Sequence, residues 1–264
     1  MAIFYKIVCP SNNSISYLMG TFHLNHTAFE PILNKAYDLI SKSSYYYGEM
    51  DLNSVDPIIV SEVLNNQPKA SHKIKSLLNK KRNAFQNKFD FDVNHLAELP
   101  IFSMLNELTT GLFNEKLIAG SIDEELLKKA IENKLTLGGL ETFEEQMHIM
   151  KSMKSKDIEK QIIEMLHHPS KFGRSMDKVF KYYLKGKARK LQKEAKKNTK
   201  GNSSILIDKR NKIMTSRILE IIKQNDKNFF SFGAGHLSGS TGITTLLKKQ
   251  GISVKKINYN TSHL

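Results

Sequence analysis

Ser16-Tyr17-Leu18-Met19-Gly20-Thr21-Phe22-His23 is a short apolar run that ends in Gly-Thr-Phe-His. The run predicts a buried strand that breaks into a turn at Gly20, because glycine lets the backbone bend without a Cβ clash. His23 would then lie just past the carboxyl end of this strand. In open α/β sheets that edge is where ligands bind.

A second stretch near the other end of the chain has the same design. Residues 228–236 read Asn-Phe-Phe-Ser-Phe-Gly-Ala-Gly-His, again an apolar run followed by Gly-x-x-His. With 14 Gly and 9 His in 264 residues, two such matches are only mildly improbable by chance. The strand-like runs that precede both matches favour functional histidines at His23 and His236 over ordinary turn histidines.

Two further predicted strands end in a carboxylate, Glu49 in Tyr45-Tyr46-Tyr47-Gly48-Glu49-Met50-Asp51-Leu52 and Glu141 in residues 134–142. A carboxylate on a strand that should be buried needs a partner or a metal. Glu141 has a simpler alternative, which is to cap the helix that follows. If all four strands lie side by side, the two histidines and the two glutamates converge on one rim.

The order of strands and helices predicts an α/β fold: a central mixed β-sheet flanked by helices, with a mainly helical insertion. We expect one domain over residues 1–264, opened by a hairpin of strands at 2–8 and 15–19, with helical insertions at 57–120 and 143–198 that cover the site. The predicted helices, from apolar spacing and capping residues, are 31–42, 58–65, 73–89, 92–110, 121–133, 143–153, 156–198, 205–224 and 241–250. A loop is predicted at 198–203.

The amino-acid composition restricts the class of protein further. The 40% apolar and 25% charged content is that of a soluble globular protein, and no apolar run approaches the about 20 residues of a membrane-spanning helix. The N-terminus alternates like a strand and lacks the order of a signal peptide, so we expect a cytoplasmic protein, or a secreted one if a leader has been removed. The single cysteine, Cys9, excludes an internal disulfide and a multi-cysteine zinc site.

The net charge of +14 is concentrated in one segment. Residues 171–200 hold twelve Lys and Arg against Asp177 and Glu194, on a helix with apolar residues at helical spacing. The lysine-rich face is either plain solvated surface or a functional surface for an acidic partner. No base-reading motif of the zinc-finger or RRM kind is present.

The chemistry of the rim follows from its residue types. Two imidazoles and a carboxylate can hold a divalent metal with a position open for water, and a further carboxylate could take the proton of that water. Hydrolysis suits such a site best. Arg210, near the start of a predicted helix, is expected to pair with a buried carboxylate, the alternative being a surface arginine. His26 follows the first motif and could support the site.

In these residues the chain resembles the TraB/PrgY/GumN family, whose animal relatives include the Tiki proteins. The resemblance covers nearly the whole length and rests on an ordered set of motifs: Tyr17 to His23, Gly48-Glu49-Met50-Asp51, Ser121-Ile122-Asp123, Gly139-Leu140-Glu141-Thr142 with Glu145-Gln146, Tyr183 with Gly186, Arg210-Asn211, and Gly233-Ala234-Gly235-His236-Leu237 with Gly239. Lys187 departs from the pattern, because the family often has an acidic residue there.

The resemblance implies an α/β fold related to the erythromycin-esterase and ChaN-like group. It also implies a metal-dependent peptidase activity like that described for Tiki proteins, with His23, His236 and Glu49 as the metal-binding set. We therefore expect a metal-dependent hydrolase, with a peptidase as the first expectation. Its substrate would be a peptide or a small-molecule ester, and its metal Mn or Co. Glu141 would serve as a supporting partner or base, and Arg210 would orient a carboxylate or stabilise an oxyanion. The alternative is a protein that sequesters a peptide, haem or iron in the same cleft without turnover.

Overall fold

The computed structural model describes residues 2–51, 55–113, 117–198 and 204–259. The chain divides into two compact units. The first is formed by residues 1–53, 117–146 and 179–264, and the second by residues 54–116 and 147–178. In the part of the chain that is described, no helix has the length and apolar character needed to cross a membrane.

The first unit is built on one six-stranded sheet. Its strands are β1 Phe4–Val8, β2 Ile15–Thr21, β3 Tyr45–Met50, β4 Thr136–Glu141, β5 Asn228–Gly233 and β6 Ser253–Ile257, in the order β4-β3-β5-β2-β1-β6. Strands β4, β3, β5 and β2 run parallel, whereas β1 is antiparallel to both of its neighbours, β2 and β6. The predicted α/β fold with a mixed sheet is therefore confirmed.

The strand β5 lies at the centre of the parallel part, between β3 and β2, and every residue in it is buried. A strand covered on both faces requires a continuous apolar run, which the sequence Asn-Phe-Phe-Ser-Phe-Gly supplies. In the pairing register, Thr21 at the end of β2 lies opposite Gly233 at the end of β5. The four strands that carry the predicted site residues thus end at one rim.

Helices account for most of the remaining structure. Their bounds are α1 Glu30–Ile40, α2 Pro57–Asn65, α3 His72–Lys80, α4 Arg82–Phe89, α5 Val93–Glu98, α6 Ile101–Gly111, α7 Ile122–Glu132, α8 Phe143–Ser152, α9 Ser155–His167, α10 Pro169–Leu184, α11 Ala188–Asn198, α12 Arg210–Gln224 and α13 Ile243–Lys249. The helix α7 begins with the predicted N-cap at Ser121, whose hydroxyl accepts from the Glu124 backbone while the Glu124 carboxylate accepts from the Ser121 backbone.

Three of the predicted helical stretches differ in detail from the helices in the structure. The helix predicted over 73–89 is two helices, broken at Lys81, and the one predicted over 92–110 is broken at Leu99 because the residue before a proline, here Pro100, avoids the helical conformation. The basic stretch at 156–198 forms the three helices α9, α10 and α11. Residues 199–203 of the predicted loop lie outside the described residues.

A π-helical segment over Ser204–Lys209 precedes α12. The helix predicted over 205–224 therefore begins with a wider turn, and α12 proper begins at Arg210. This matters for the site, because the start of α12 carries two side chains described below.

The second unit has a core of its own. Apolar residues of its helices form one buried cluster, which includes Ile74, Leu78, Met104, Leu108 and Ile162, each completely buried. Such a cluster is what amphipathic helices need to bury their apolar faces. That the helical insertions cover the site stays a prediction.

We expect Gly20→Ala to lower the free energy of unfolding by about 1–3 kcal/mol, the usual cost of forcing extra atoms into a packed core. A Cβ atom at this position would lie 2.4 Å from Leu237 Cδ1 and 2.8 Å from Ala234 Cα, and the second of these is backbone that cannot move aside. Urea unfolding measures the change, with the exposed β6 variant Ser253→Ala as the control. Equal midpoints for the two variants would contradict the prediction.

Candidate functional site

His23 lies in the turn that follows β2, with a backbone φ of 57°, in the left-handed region that residues other than glycine rarely adopt. Its Nδ1 is 2.9 Å from the Asp123 carboxylate on α7, and its Nε2 is 3.9 Å from Glu49 Oε2. The side chain is 56% exposed. An unfavourable backbone conformation at a partly exposed polar residue is typical of a functional position.

Aromatic packing holds the turn in place. The Phe22 ring contacts Phe29 and Tyr183, with ring centroids 5.7 Å and 5.2 Å away. The Tyr183 hydroxyl donates a 3.0 Å hydrogen bond to the Gly20 carbonyl. His26 has a local role, since its Nδ1 accepts from the Ala28 backbone and caps a short 3-10 turn.

Arg210 links the two predicted glutamates. Its Nε donates to both Glu141 carboxylate oxygens, at 2.8 Å and 3.1 Å, and its Nη2 donates to Glu49 and to Glu141. The other Glu49 oxygen, Oε2, accepts a 2.8 Å hydrogen bond from the Gly233 backbone. One guanidinium therefore bridges two carboxylates that have little contact with water, and Glu49 is tied to the start of α12 and the end of β5.

Glu141 is the most deeply placed of these groups, with its side chain 1% exposed. Hydrogen bonds hold the residues that precede and follow Glu141 in the chain. Arg217 donates a 2.6 Å bond to the Leu140 carbonyl and pairs with Glu145, while Thr142 and Glu145 form a reciprocal capping box at the start of α8. Glu141 therefore serves as a partner of Arg210.

His236 follows β5 in a 3-10 turn and is 5% exposed. Its Nδ1 lies 2.6 Å from Oδ1 of Asn211, whose Nδ2 donates to the Thr241 carbonyl at 2.7 Å. The second bond fixes the orientation of the amide, so Oδ1 can only accept and Nδ1 of His236 must carry the proton. In the neutral ring the lone pair is then on Nε2.

The two imidazoles have opposite charge preferences. Desolvation lowers the pKa of His23, but the attraction of Asp123 and Glu49 outweighs it and raises that pKa to about 9. Because the side chain is partly exposed, solvent weakens both the desolvation and the attraction. Two adjacent carboxylates still favour the charged ring, so the pKa of His23 is raised. Desolvation lowers the pKa of His236 to about 4, against the weaker attraction of Glu49.

Glu49 stays ionised. Burial alone would raise its pKa, but Arg210 and the two imidazoles together hold that pKa well below its usual range. At neutral pH the site therefore contains a protonated His23, a neutral His236 and an ionised Glu49. Two titratable groups whose pKa values are driven apart are the usual mark of an acid and a base.

A cavity of about 220 Å³ opens at the rim, lined by His23, Glu49, Asp123, Tyr46 and Gln146 among others. His236 is buried and does not line this cavity, but it lies near enough to Glu49 and His23 for its pKa to respond to their charges. Gly233 permits the close approach of the site residues, because a Cβ atom there would lie 2.6 Å from His23 Nε2.

As arranged, the predicted ligands do not fit a divalent ion. Nowhere in the described residues do three or more His, Cys, Asp or Glu side chains form a group that could hold one. Arg210 also occupies an oxygen of Glu49, and His23 holds a proton where a ligand needs a lone pair.

Sequence reasoning placed His23, Glu49, Glu141 and His236 on one rim, and the structure brings them there together with Arg210. It missed the side chains that orient the histidines. Asp123 stood in the Ser121-Ile122-Asp123 motif and Asn211 in the Arg210-Asn211 motif, but neither was assigned a role. The spacing of neither predicts a contact with a histidine 100 or 25 residues away.

Fold and site together define an α/β protein with two oriented histidines and an arginine-bridged carboxylate pair at the carboxyl ends of parallel strands. The model of the TraB/PrgY/gumN family matches residues 3–256, nearly the whole chain, and the chain belongs to this family. No curated protein gives a significant match.

We expect Asp123→Asn to lower the pKa of His23 from about 9 towards its ordinary value of 6.5, because the substitution removes the nearest negative charge. Titration of the imidazole signals by NMR measures the shift. Glu132→Gln, also on α7, removes a charge that does not face His23 and is the control. A pKa that stays near 9 in Asp123→Asn would contradict this account of the site.

Proposed function

We propose that this chain is a hydrolase of acyl bonds, with a peptide or a small-molecule ester as its substrate. One observation carries the proposal: two imidazoles, each oriented through Nδ1, prefer opposite protonation states, and His23 lines a cavity beside the ionised Glu49 while His236 is buried within electrostatic reach of both. Acyl hydrolysis needs a base for the attacking water and an acid for the leaving group, which are the two states present here.

The buried histidine is the proposed base. His236 Nε2 carries the lone pair, and the proposed scheme requires that one water molecule reaches it. As Nε2 takes a proton from the water, the water oxygen attacks the acyl carbon and a tetrahedral intermediate forms. Asn211 accepts from Nδ1 throughout and so keeps the tautomer that the reaction requires.

The exposed histidine is the proposed acid. His23 lines the cavity and is protonated at neutral pH, so its Nε2–H can give a proton to the leaving nitrogen or oxygen as the acyl bond breaks. Asp123 and Glu49 stabilise the imidazolium before the transfer. The proton held by His236 then returns to solvent and His23 regains a proton from solvent, so the balanced result is the addition of one water across the bond.

The Arg210 bridge has a positioning role in this scheme. It keeps Glu49 ionised beside His23 and holds it against the Gly233 backbone, while Glu141 fixes the guanidinium from the other side. Glu49 itself is a weak base, because Arg210 and the two imidazoles hold its pKa low. Its contribution is the charge that keeps His23 protonated.

A metal-dependent version of the same hydrolase is the alternative, as the family resemblance suggests. In it a divalent ion, Mn or Co, would be held by His23, Glu49 and His236 after Arg210 releases Glu49, and its chemistry would be to activate water. Metal analysis of the purified protein and assays with a chelator separate the two. Activity that survives chelation supports the acid–base scheme, and activity restored only by Mn or Co supports the metal.

We expect His23→Gln and His236→Gln each to lower kcat by about 10²–10⁴-fold, the usual contribution of a general acid or base. The assay presents a peptide library and a panel of small esters to the purified protein and identifies products by mass spectrometry. His167→Gln, an exposed histidine on α9, is the matched control and should retain wild-type activity. Stoichiometric binding of substrate that stays intact in every variant would instead identify a sequestering protein.

The pH profile should be bell-shaped. The base must be unprotonated, so kcat falls as the pH drops through about 4, the pKa of His236. The acid must be protonated, so kcat falls again as the pH rises through about 9, the pKa of His23. In Asp123→Asn the upper limb should move to lower pH while the lower limb stays. A pH profile that only rises with pH would contradict the assignment of His236 as the base and His23 as the acid.

A further inference from the structure

A second and larger cavity, of about 800 Å³, lies elsewhere in the first unit. It is lined by the start of β1, the start of α11, the loop at 238–240 that follows His236, and residues of α13 and β6. Neither the proposed hydrolysis nor the family match gives it a role. Its volume falls within the range of small-molecule sites, about 300–1,000 Å³.

The charge of this cavity is of one sign. Arg189, Lys248 and Lys256 line it from three different elements, and the lining contains no Asp or Glu. Within the described residues none of the three makes an ion pair. Converging cations without a carboxylate raise the local concentration of anions.

Hydroxyl groups supplement these cations. Ser240 and Thr245 line the cavity with side chains that are at least partly exposed, and each can donate to an anion. Tyr5 also lines the cavity, near enough to Arg189 for the guanidinium to influence its phenol. A neutral ligand would leave the cations without partners.

The wall that carries Ser240 is fixed rather than loose. Gly239 has a φ of +94° and packs so closely on Gln192 of α11 that a Cβ atom would lie 1.6 Å from the Gln192 amide oxygen. Lys196 of the same helix pairs with Asp208, whose carboxylate also accepts from Thr241. The cavity is therefore formed before any ligand arrives, which reduces the cost of binding.

We propose that this basic cavity is a binding site for a small molecule that carries two or more phosphate groups. The guanidinium of Arg189 suits bidentate bonds to phosphate, and Lys248 and Lys256 supply point charges. The volume exceeds what a single phosphate fills. The proposal concerns binding only and does not depend on the hydrolase activity. Among the described residues of the basic segment 171–200, Arg189 is the one that carries charge into this cavity. That the rest of the segment binds an acidic partner stays a prediction.

Isothermal titration calorimetry on the full chain, in about 0.15 M salt to screen non-specific attraction, tests the proposal. The probes are inorganic pyrophosphate and ATP, with adenosine as the uncharged control. We expect both phosphate probes to bind and adenosine not to bind. Similar affinities would identify the phosphates as the recognised part, and ATP binding about tenfold or more tighter would add the nucleoside.

Two double variants of equal charge make the test specific. Lys248→Gln with Lys256→Gln removes two lining cations and should weaken binding of both probes by about tenfold or more. Lys249→Gln with Lys255→Gln removes the neighbouring cations on α13 and β6, which do not line the cavity. This control should change the affinity for the two probes by less than about twofold. Arg189→Gln should weaken binding as the first pair does.

Two results would overturn the proposal. One is the absence of heat from wild type with either phosphate probe at about 1 mM. The other is equal weakening in the two double variants, since binding would then follow net charge and not the cavity. Thermal unfolding of each variant verifies that the fold is intact, as expected for exposed lysines.

Discussion

The bridge from Arg210 to Glu49 and Glu141 is the interaction on which the rest of the site depends. Removing charges from water is costly, and two carboxylates next to each other would repel as well, so the pair is stable only because one guanidinium hydrogen-bonds to both. The bridge also joins β3, β4 and α12, and through Glu49 it reaches the Gly233 backbone at the end of β5. Removing Arg210 would leave two neighbouring carboxylates at the sheet edge without the cation that bridges them.

The two histidines show how neighbours, and not residue type, set protonation. Both follow a parallel strand in a Gly-x-x-His sequence, and both are bonded through Nδ1. His23 meets the carboxylate of Asp123 and remains partly in water, so its charged form is favoured. His236 meets the neutral amide of Asn211 and is buried, so its charged form is disfavoured. The same side chain is thus held in two opposite protonation states.

The family match and the site geometry support different conclusions. The match over residues 3–256 shows which family the chain belongs to, and it carries no particular reaction. The geometry supports acyl hydrolysis by the protein's own side chains, because the two ring nitrogens and the arginine-held carboxylate have defined protonation states. The loop after His236 leads from this site to the basic cavity, so the parallel strand β5 positions residues for both. That arrangement follows the general use of strand carboxyl ends as ligand sites.

The sequence by itself determined the strands, the capping residues and the rim. Apolar runs that end in glycine located His23 and His236, and the known properties of parallel sheets then placed Glu49 and Glu141 beside them. Apolar spacing did not indicate the break at Lys81 or the π-helical segment that precedes Arg210, whereas Pro100 in the sequence accounts for the break at Leu99. Only the tertiary structure decided which groups orient the histidines and that one arginine serves both glutamates. Local patterns record which face of a helix or strand is buried, whereas the partners Asp123, Asn211 and Arg210 are distant in the chain and meet only through packing.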